Sequence, residues 1–191
     1  MGILAALRNW WVRTQGGEVV QDFGVIDSTG SGMHSHETRA KLRHGEDGYC
    51  LQLQLMERRS LKNTTVRLLY LYFQAHEQLS AIVTDVKRRI DSMEGPTGEK
   101  LGPFMTKFLN VLGKKVIHDY GRIDHHPANN AGRRVELALL QGDDTYSLFF
   151  CLQKRSYFDW PASLAEALCQ LLGEIKGITE RSDWSQRRGT R

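Results

Sequence analysis

Cysteine is scarce in this chain. Cys50, Cys151 and Cys169 make an odd number with no C-x-x-C pair, which argues for reduced, partly buried thiols in an intracellular, cytoplasmic protein rather than a disulfide framework. No local signature marks any of the three as a nucleophile. Long apolar runs are missing as well, so stable membrane insertion is not expected. Residues 1–11 show neither a basic leader nor a small-residue cleavage site, and Ala6 stands where myristoylation at Gly2 wants Ser or Thr. The chain also lacks G-x-S-x-G, H-E-x-x-H, a Walker loop and a dinucleotide fingerprint. Gly30-Ser31-Gly32 does not lead into a helix, which weakens it as a phosphate loop. Neither an enzyme nor a bound cofactor is expected. Excess charge is absent too: the formal net charge is +4, but residues 181–191 hold +3 of it, leaving +1 for everything before them. A basic surface on the folded part must therefore come from segregation of charge.

What the chain does have is a repeat. Residues 16–55 lie without a gap on residues 113–152 at an offset of 97, with 12 identities in 40 positions. Unrelated sequences of ordinary composition would give roughly two or three. Val19, Asp22, Gly24, Ile26 and Asp27 fall on Val116, Asp119, Gly121, Ile123 and Asp124, and Tyr49 and Leu51 on Tyr146 and Leu148. The expectation is a tandem duplication of α+β class, each unit built as helix, antiparallel sheet of three to four strands, helix. Repeat 1 covers 1–94, a linker 95–100, repeat 2 covers 101–178, and a basic, mobile tail 179–191.

Periodicity places the elements. Residues 3–14 carry Ile3, Leu4, Leu7, Trp10 and Trp11 at helical spacing, a docking helix echoed by Phe104, Met105, Phe108, Leu109 and Leu112. Strands are expected over 18–26, 39–43, 49–56 and 64–73. Gly45-Glu46-Asp47-Gly48 turns the second into the third, where Tyr49, Leu51, Leu53 and Leu55 share one face. From 76 to 93 the stripe Leu79, Ile82, Val83, Val86, Ile90, Met93 reads as a helix on a sheet. The second unit repeats this over 116–123, 133–140 and 146–154, with Tyr146, Leu148, Phe150 and Leu152 inward. Its fourth strand is reduced to 156–158. Asp159 then caps a helix with Pro161 in its first turn and Leu164, Leu168, Leu171, Leu172 and Ile175 as its buried stripe.

Candidate chemistry is sparse. His34 and His36 lie in a polar stretch, 28–37, and His125 and His126 in another, 125–130; four histidines invite a metal, but the ligand set is incomplete. The recurring Asp22/Asp119 and Asp27/Asp124 are carboxylates by type, yet beside Gly24 and Gly121 they read as shared backbone geometry. The nucleic-acid candidates are Arg58, Arg59 and Lys62 after the third strand, and Arg67, Tyr70 and Tyr72 on the fourth. In the second unit they are Phe149, Lys154, Arg155 and Tyr157, and in the tail Arg187 and Arg188. The competing account is a solvated sheet edge with some of these tyrosines in the core.

Four strands followed by a helix, given twice, resembles the PC4/Whirly/PUR-type single-stranded nucleic-acid-binding fold. The closest passage is 66–79, VRLLYLYFQAHEQL, where the fourth strand passes into the helix. The resemblance implies binding of single-stranded DNA or RNA on the β-surface, with the helices joining the repeats or a second copy, and carries over no catalytic residues. The extra leading helices and the short fourth strand of repeat 2 depart from it. Non-catalytic binding of single-stranded nucleic acid is therefore the expected function. The alternative is a protein-interaction module (chaperone, adaptor or assembly subunit), since such units also resemble small secretion-chaperone folds. A metal-dependent hydrolase using His34, His36, His125 and His126 comes third.

Overall fold

The computed structural model describes residues 17–31, 34–45, 48–60, 63–72, 76–98, 101, 109, 111–124, 135–143, 145–152 and 156–188. The fold is α+β. Strands β1 (Glu18–Ser31), β2 (His34–Gly45), β3 (Gly48–Arg58) and β4 (Thr64–Tyr72) form one antiparallel sheet in sequence order, sheet A. Helix α1 (His76–Asp91) follows. Then β5 (Lys115–Arg122), β6 (Val135–Gln141), β7 (Tyr146–Leu152) and β8 (Ser156–Pro161) form sheet B in the same order, and α2 (Ser163–Arg188) closes the chain. The leading helices expected over 3–14 and 104–112 fall largely outside the described residues.

The two sheets share a register at the 97-residue offset. Gln21 faces Leu42 and Leu42 faces Leu51; His118 faces Leu139 and Leu139 faces Leu148. Bulges interrupt β1 between Val19 and Gln21 and between Asp22 and Gly24, and interrupt β5 between Val116 and His118 and between Asp119 and Gly121. At each second bulge a glycine takes a left-handed φ, 68° at Gly24 and 61° at Gly121. The Asp22 carboxylate accepts from the Gly24 amide at 2.9 Å, and Asp119 from Gly121 at 2.8 Å. This is the backbone role expected of the recurrent Asp–x–Gly, since glycine alone adopts that φ without strain and the aspartate satisfies the amide left out of the ladder.

Alternation does the rest. Leu51, Leu53 and Leu55, and Leu148 and Phe150, face one continuous core, with Tyr49, Tyr146 and Leu152 packed at its margin. That core runs through both halves, so packing does not divide at 95–98; there the Thr97 hydroxyl donates to the Ile117 carbonyl at 2.8 Å. Helix α1 belongs to the first half by sequence but packs against both halves. Its Leu79, Val83 and Val86 share a small apolar gap with Leu71, Ile123, Leu137 and Phe150. At its far end Asp85 accepts from the Tyr120 hydroxyl at 2.9 Å, from Arg89 at 2.6 Å and from Arg88 at 2.8 Å, clamping helix to β5. Helix α2 lies along α1 and reaches β1, where the Ser163 hydroxyl donates to Asp27 at 3.1 Å. Its expected stripe, Leu164, Leu168, Leu171, Leu172 and Ile175, is buried.

Four expectations are corrected. The polar stretch 28–37 is not a loop, because β1 and β2 stay paired up to Ser31 and His34. Met93 is not core: it sits just past α1 at φ 52° and is 80% exposed, ending the helix. The fourth strand of the second half extends to Pro161, pairing with Ser147, so Asp159 and Pro161 belong to the strand and not to a helix start. An edge strand accepts Pro, which has no amide to offer. Finally, the arm expected from 179 onward is helical through Arg188. No Gly or Pro interrupts 178–188, and nothing there stops a helix already anchored by Ile175.

Candidate nucleic-acid interface

Every residue of a sheet faces one of two sides, and the register settles which. The outer side of sheet A consists of cross-strand rows: Val19–Arg43–Cys50–Tyr72, Asp22–Lys41–Gln52–Tyr70, Val25–Arg39–Gln54–Leu68, Ser28–Glu37–Met56–Val66 and Gly30–Ser35–Arg58–Thr64. The first two rows are largely covered at β3 and β4: Cys50, Tyr72 and Gln52 are buried. The next rows are open, with Val25, Val66 and Leu68 each 44–49% exposed. The cations stand in one column on β2. Lys41 pairs with Asp22 and Arg39 with Glu37, both at 2.7 Å, while Arg43 donates to Gln52 at 2.5 Å and to the Gly17 carbonyl at 2.8 Å. The ammonium of Lys41, together with the Gly24 amide, holds the Asp22 carboxyl below the ordinary carboxylate range.

The nominated residues divide. Arg58 is exposed at one end of this face and Tyr70 is half-buried within it. Arg59 is exposed, its guanidinium on Glu57 at 2.8 Å. Tyr72 lies on the outer side but is only 2% exposed, so it offers no free ring to a base. Arg67 faces the opposite way, because parity in β4 places it with Leu69 and Leu71. It donates to the Ser156 hydroxyl at 3.0 Å and lies 5.1 Å from the centre of the Phe158 ring. Phe149 is also unavailable, buried in a second apolar cluster with Leu109, Val116, Ala138 and Leu140 on the outer side of sheet B. Tyr157 stacks on it at 5.9 Å. Lys62, Lys154 and Arg155 lie outside the described residues, and Arg187 and Arg188 belong to the last turn of α2.

Sequence reasoning missed Arg39, Lys41 and Arg43. The signal was present: Ala40 and Leu42 are apolar, so a strand over 39–43 that buries them must turn the three cations outward.

Other polar groups among the described residues make contacts within the fold. His36 stands on β2, edge-on to Trp160 at 4.8 Å and 3.9 Å from Glu57. Among the described residues no three His, Cys, Asp or Glu side chains are grouped to hold a metal; His125 and His126 lie outside them. Trp160 donates to the buried Thr38 hydroxyl at 3.1 Å, tying β8 to β2. Asp124, fully buried, accepts from the Val135 amide at 2.9 Å and Arg122 at 3.0 Å. Asp27 is pushed up by burial, with the Ser163 bond opposing. Lys114 bridges the Asp159 carboxylate and the Ser147 hydroxyl, and burial lowers its ammonium's affinity for the proton. Cys50 and Cys151 are buried, and burial pushes the half-buried Cys169 thiol upward. No helix among the described residues is long and apolar enough to cross a membrane.

No protein-family model, curated protein or solved structure matches the chain.

Proposed function

We propose that this protein is a non-catalytic, intracellular binding module that takes single-stranded nucleic acid on the outer side of sheet A. The observation that carries the reading is the column Arg39, Lys41, Arg43 on β2, with Arg58 beyond it and Tyr70 across the sheet. Cations attract phosphates, and an accessible aromatic or apolar strip gives unstacked bases a surface. A duplex keeps its bases stacked inside and gains only the first of these. The twofold order of four strands and a helix, with common bulges and register, is in keeping with a tandem duplication. Because the outer side of sheet B is occupied by its own apolar cluster, the proposal uses one sheet of the two.

The test is fluorescence anisotropy of labelled single-stranded and duplex oligonucleotides with the full chain, at about 50 mM and about 200 mM salt. Single-strand-preferring, salt-sensitive binding that persists in Arg187→Gln/Arg188→Gln is expected. Loss of binding in that variant would move the site to the end of α2, and absence of binding at low salt would refute the proposal. A second reading, a protein-docking surface, draws on Val25, Val66 and Leu68, which leave an apolar strip in solvent. A stable stoichiometric protein partner displaced by Leu68→Lys would favour it.

A further inference from the structure

The outer side of sheet A is graded across its strands. β2 carries the cations Arg39 and Lys41; β3 carries the amides Gln54 and Gln52; β4 carries Leu68 and Tyr70. The residues stand in two adjacent rows, Arg39–Gln54–Leu68 and Lys41–Gln52–Tyr70. From β2 to β4 is two inter-strand steps, roughly 9–10 Å, and from one row to the next is two residues, roughly 6.5–7 Å. The first distance is the reach of a nucleotide from phosphate to base, and the second is the pitch of an extended single strand. A graded surface with that repeat differs from a generic basic patch because each row holds a phosphate partner at one end and a base partner at the other.

Resting on the proposed single-strand binding, we propose that the nucleic-acid backbone runs along β2, with consecutive phosphates on Arg39 and Lys41 and the attached bases over Leu68 and Tyr70. The partner is thus an extended, unpaired polynucleotide, held one nucleotide to a cross-strand row. Gln54, half-buried between the columns, presents an amide to a base edge in the first row. In the second row Gln52 is only 9% exposed and accepts from Arg43, so it supports the sheet and reads nothing. The pairs Arg39–Glu37 and Lys41–Asp22 do not bar this arrangement. Exposed ion pairs contribute little and exchange readily for a phosphate. On the next row Glu37 repels a third phosphate, so the aligned stretch is short.

The rows predict a separation that a featureless basic face would not show. Anisotropy is measured over a salt series with the full chain, a labelled thymidine oligomer and an abasic strand of equal length. Arg39→Gln/Lys41→Gln should reduce the slope of log K against log salt by about 1.4, two phosphates at about 0.7 each, on both strands. Tyr70→Ala should weaken the thymidine oligomer about fivefold or more, and Leu68→Ala, which removes roughly three carbons of apolar contact, by about twofold or more; both should leave the salt slope and abasic binding unchanged. Should Tyr70→Ala fail to fold, Leu68→Ala carries this arm, since that side chain is 44% exposed. Wild-type binding with an unchanged slope in the double glutamine variant overturns the alignment and the placement on sheet A, and leaves only single-strand binding at some other surface. Equal weakening of thymidine and abasic strands by the β4 changes overturns the alignment alone and leaves the proposed function standing. Failure of the wild-type chain to bind either strand overturns both, and a dimer dissociated by Leu68→Lys would identify the face as a protein contact instead.

Discussion

Truncating Leu71 should weaken the whole molecule in one step. Leu71 is 1% exposed, stands on β4, and borders the apolar gap where α1 of the first half meets Leu137 and Phe150 of the second. Leu→Ala removes roughly three carbons, about 2.4 kcal/mol at roughly 0.8 kcal/mol each. A cavity term is added because β4, held to β3 by its ladder bonds and packed against α1, Leu137 and Phe150, collapses only partly, so a loss of about 3–4 kcal/mol is expected. For a chain of this length that corresponds to a fall in Tm of about 6–16 °C, at about 2–4 °C per kcal/mol. Phe150→Ala opens the same gap from the other side and should cost about 3–5 kcal/mol. The assay is urea unfolding followed by tryptophan fluorescence and by far-ultraviolet circular dichroism. With Trp10, Trp11 and Trp184 replaced by Phe, the remaining Trp160, 3% exposed in the second half, reports on a substitution in the first. Coincident transitions that both move in both variants, with unchanged slope, are the expected result. Two transitions, or a Leu71→Ala loss under about 1 kcal/mol, would refute the shared core.

Two other outcomes follow from local geometry. Burial pushes the Asp85 carboxyl up, but hydrogen bonds from Arg89, Arg88 and Tyr120 outweigh that and hold it well below the usual carboxylate range. A depressed folded-state pKa contributes stability fully above the unfolded value, about pH 3.9, and loses it as pH falls through the folded value. Asp85→Asn should therefore be less stable at neutral pH and show a flatter decline below about pH 4 in urea midpoints; superimposable acid limbs would count against the clamp. Met93 ends α1 in the left-handed region, with the Glu94 amide donating to the Arg89 carbonyl at 3.0 Å, while its side chain is 80% exposed. Met93→Gly removes the Cβ penalty and should stabilise by up to about 1 kcal/mol, read as a Tm rise of about 2–4 °C. A lower Tm would mean that the exposed thioether packs on something or that backbone entropy dominates.

Several features were legible because they depend only on neighbours along the chain. The inward alternation of Leu51, Leu53 and Leu55, the stripe of α2, and the Asp22–Gly24 and Asp119–Gly121 geometry were all readable in this way. Period 2, period 3.6 and the φ tolerance of glycine are local physics. Parity also held two answers that were read past: Arg67 cannot share a face with Tyr70, and Arg39, Lys41 and Arg43 cannot share one with Ala40 and Leu42. The polar stretch 28–37 was misjudged because its residues suit a loop by composition, and only pairing across the hairpin makes them strand.

By itself, then, the sequence determined the alternation of the central strands, the apolar stripes of the two helices and the matching bulges of β1 and β5. Tertiary structure alone decided which of those faces stays open. Tyr72 and Phe149 sit at outward positions yet are buried, while Leu68, equally outward and more hydrophobic than Tyr72, is left in solvent. It also decided that α1 lies against Ile123 and Leu137 of the second half as well as Leu71 of its own sheet. Hydrophobic burial is non-directional and depends on which distant surface arrives. No pattern along a strand records the element that will cover it.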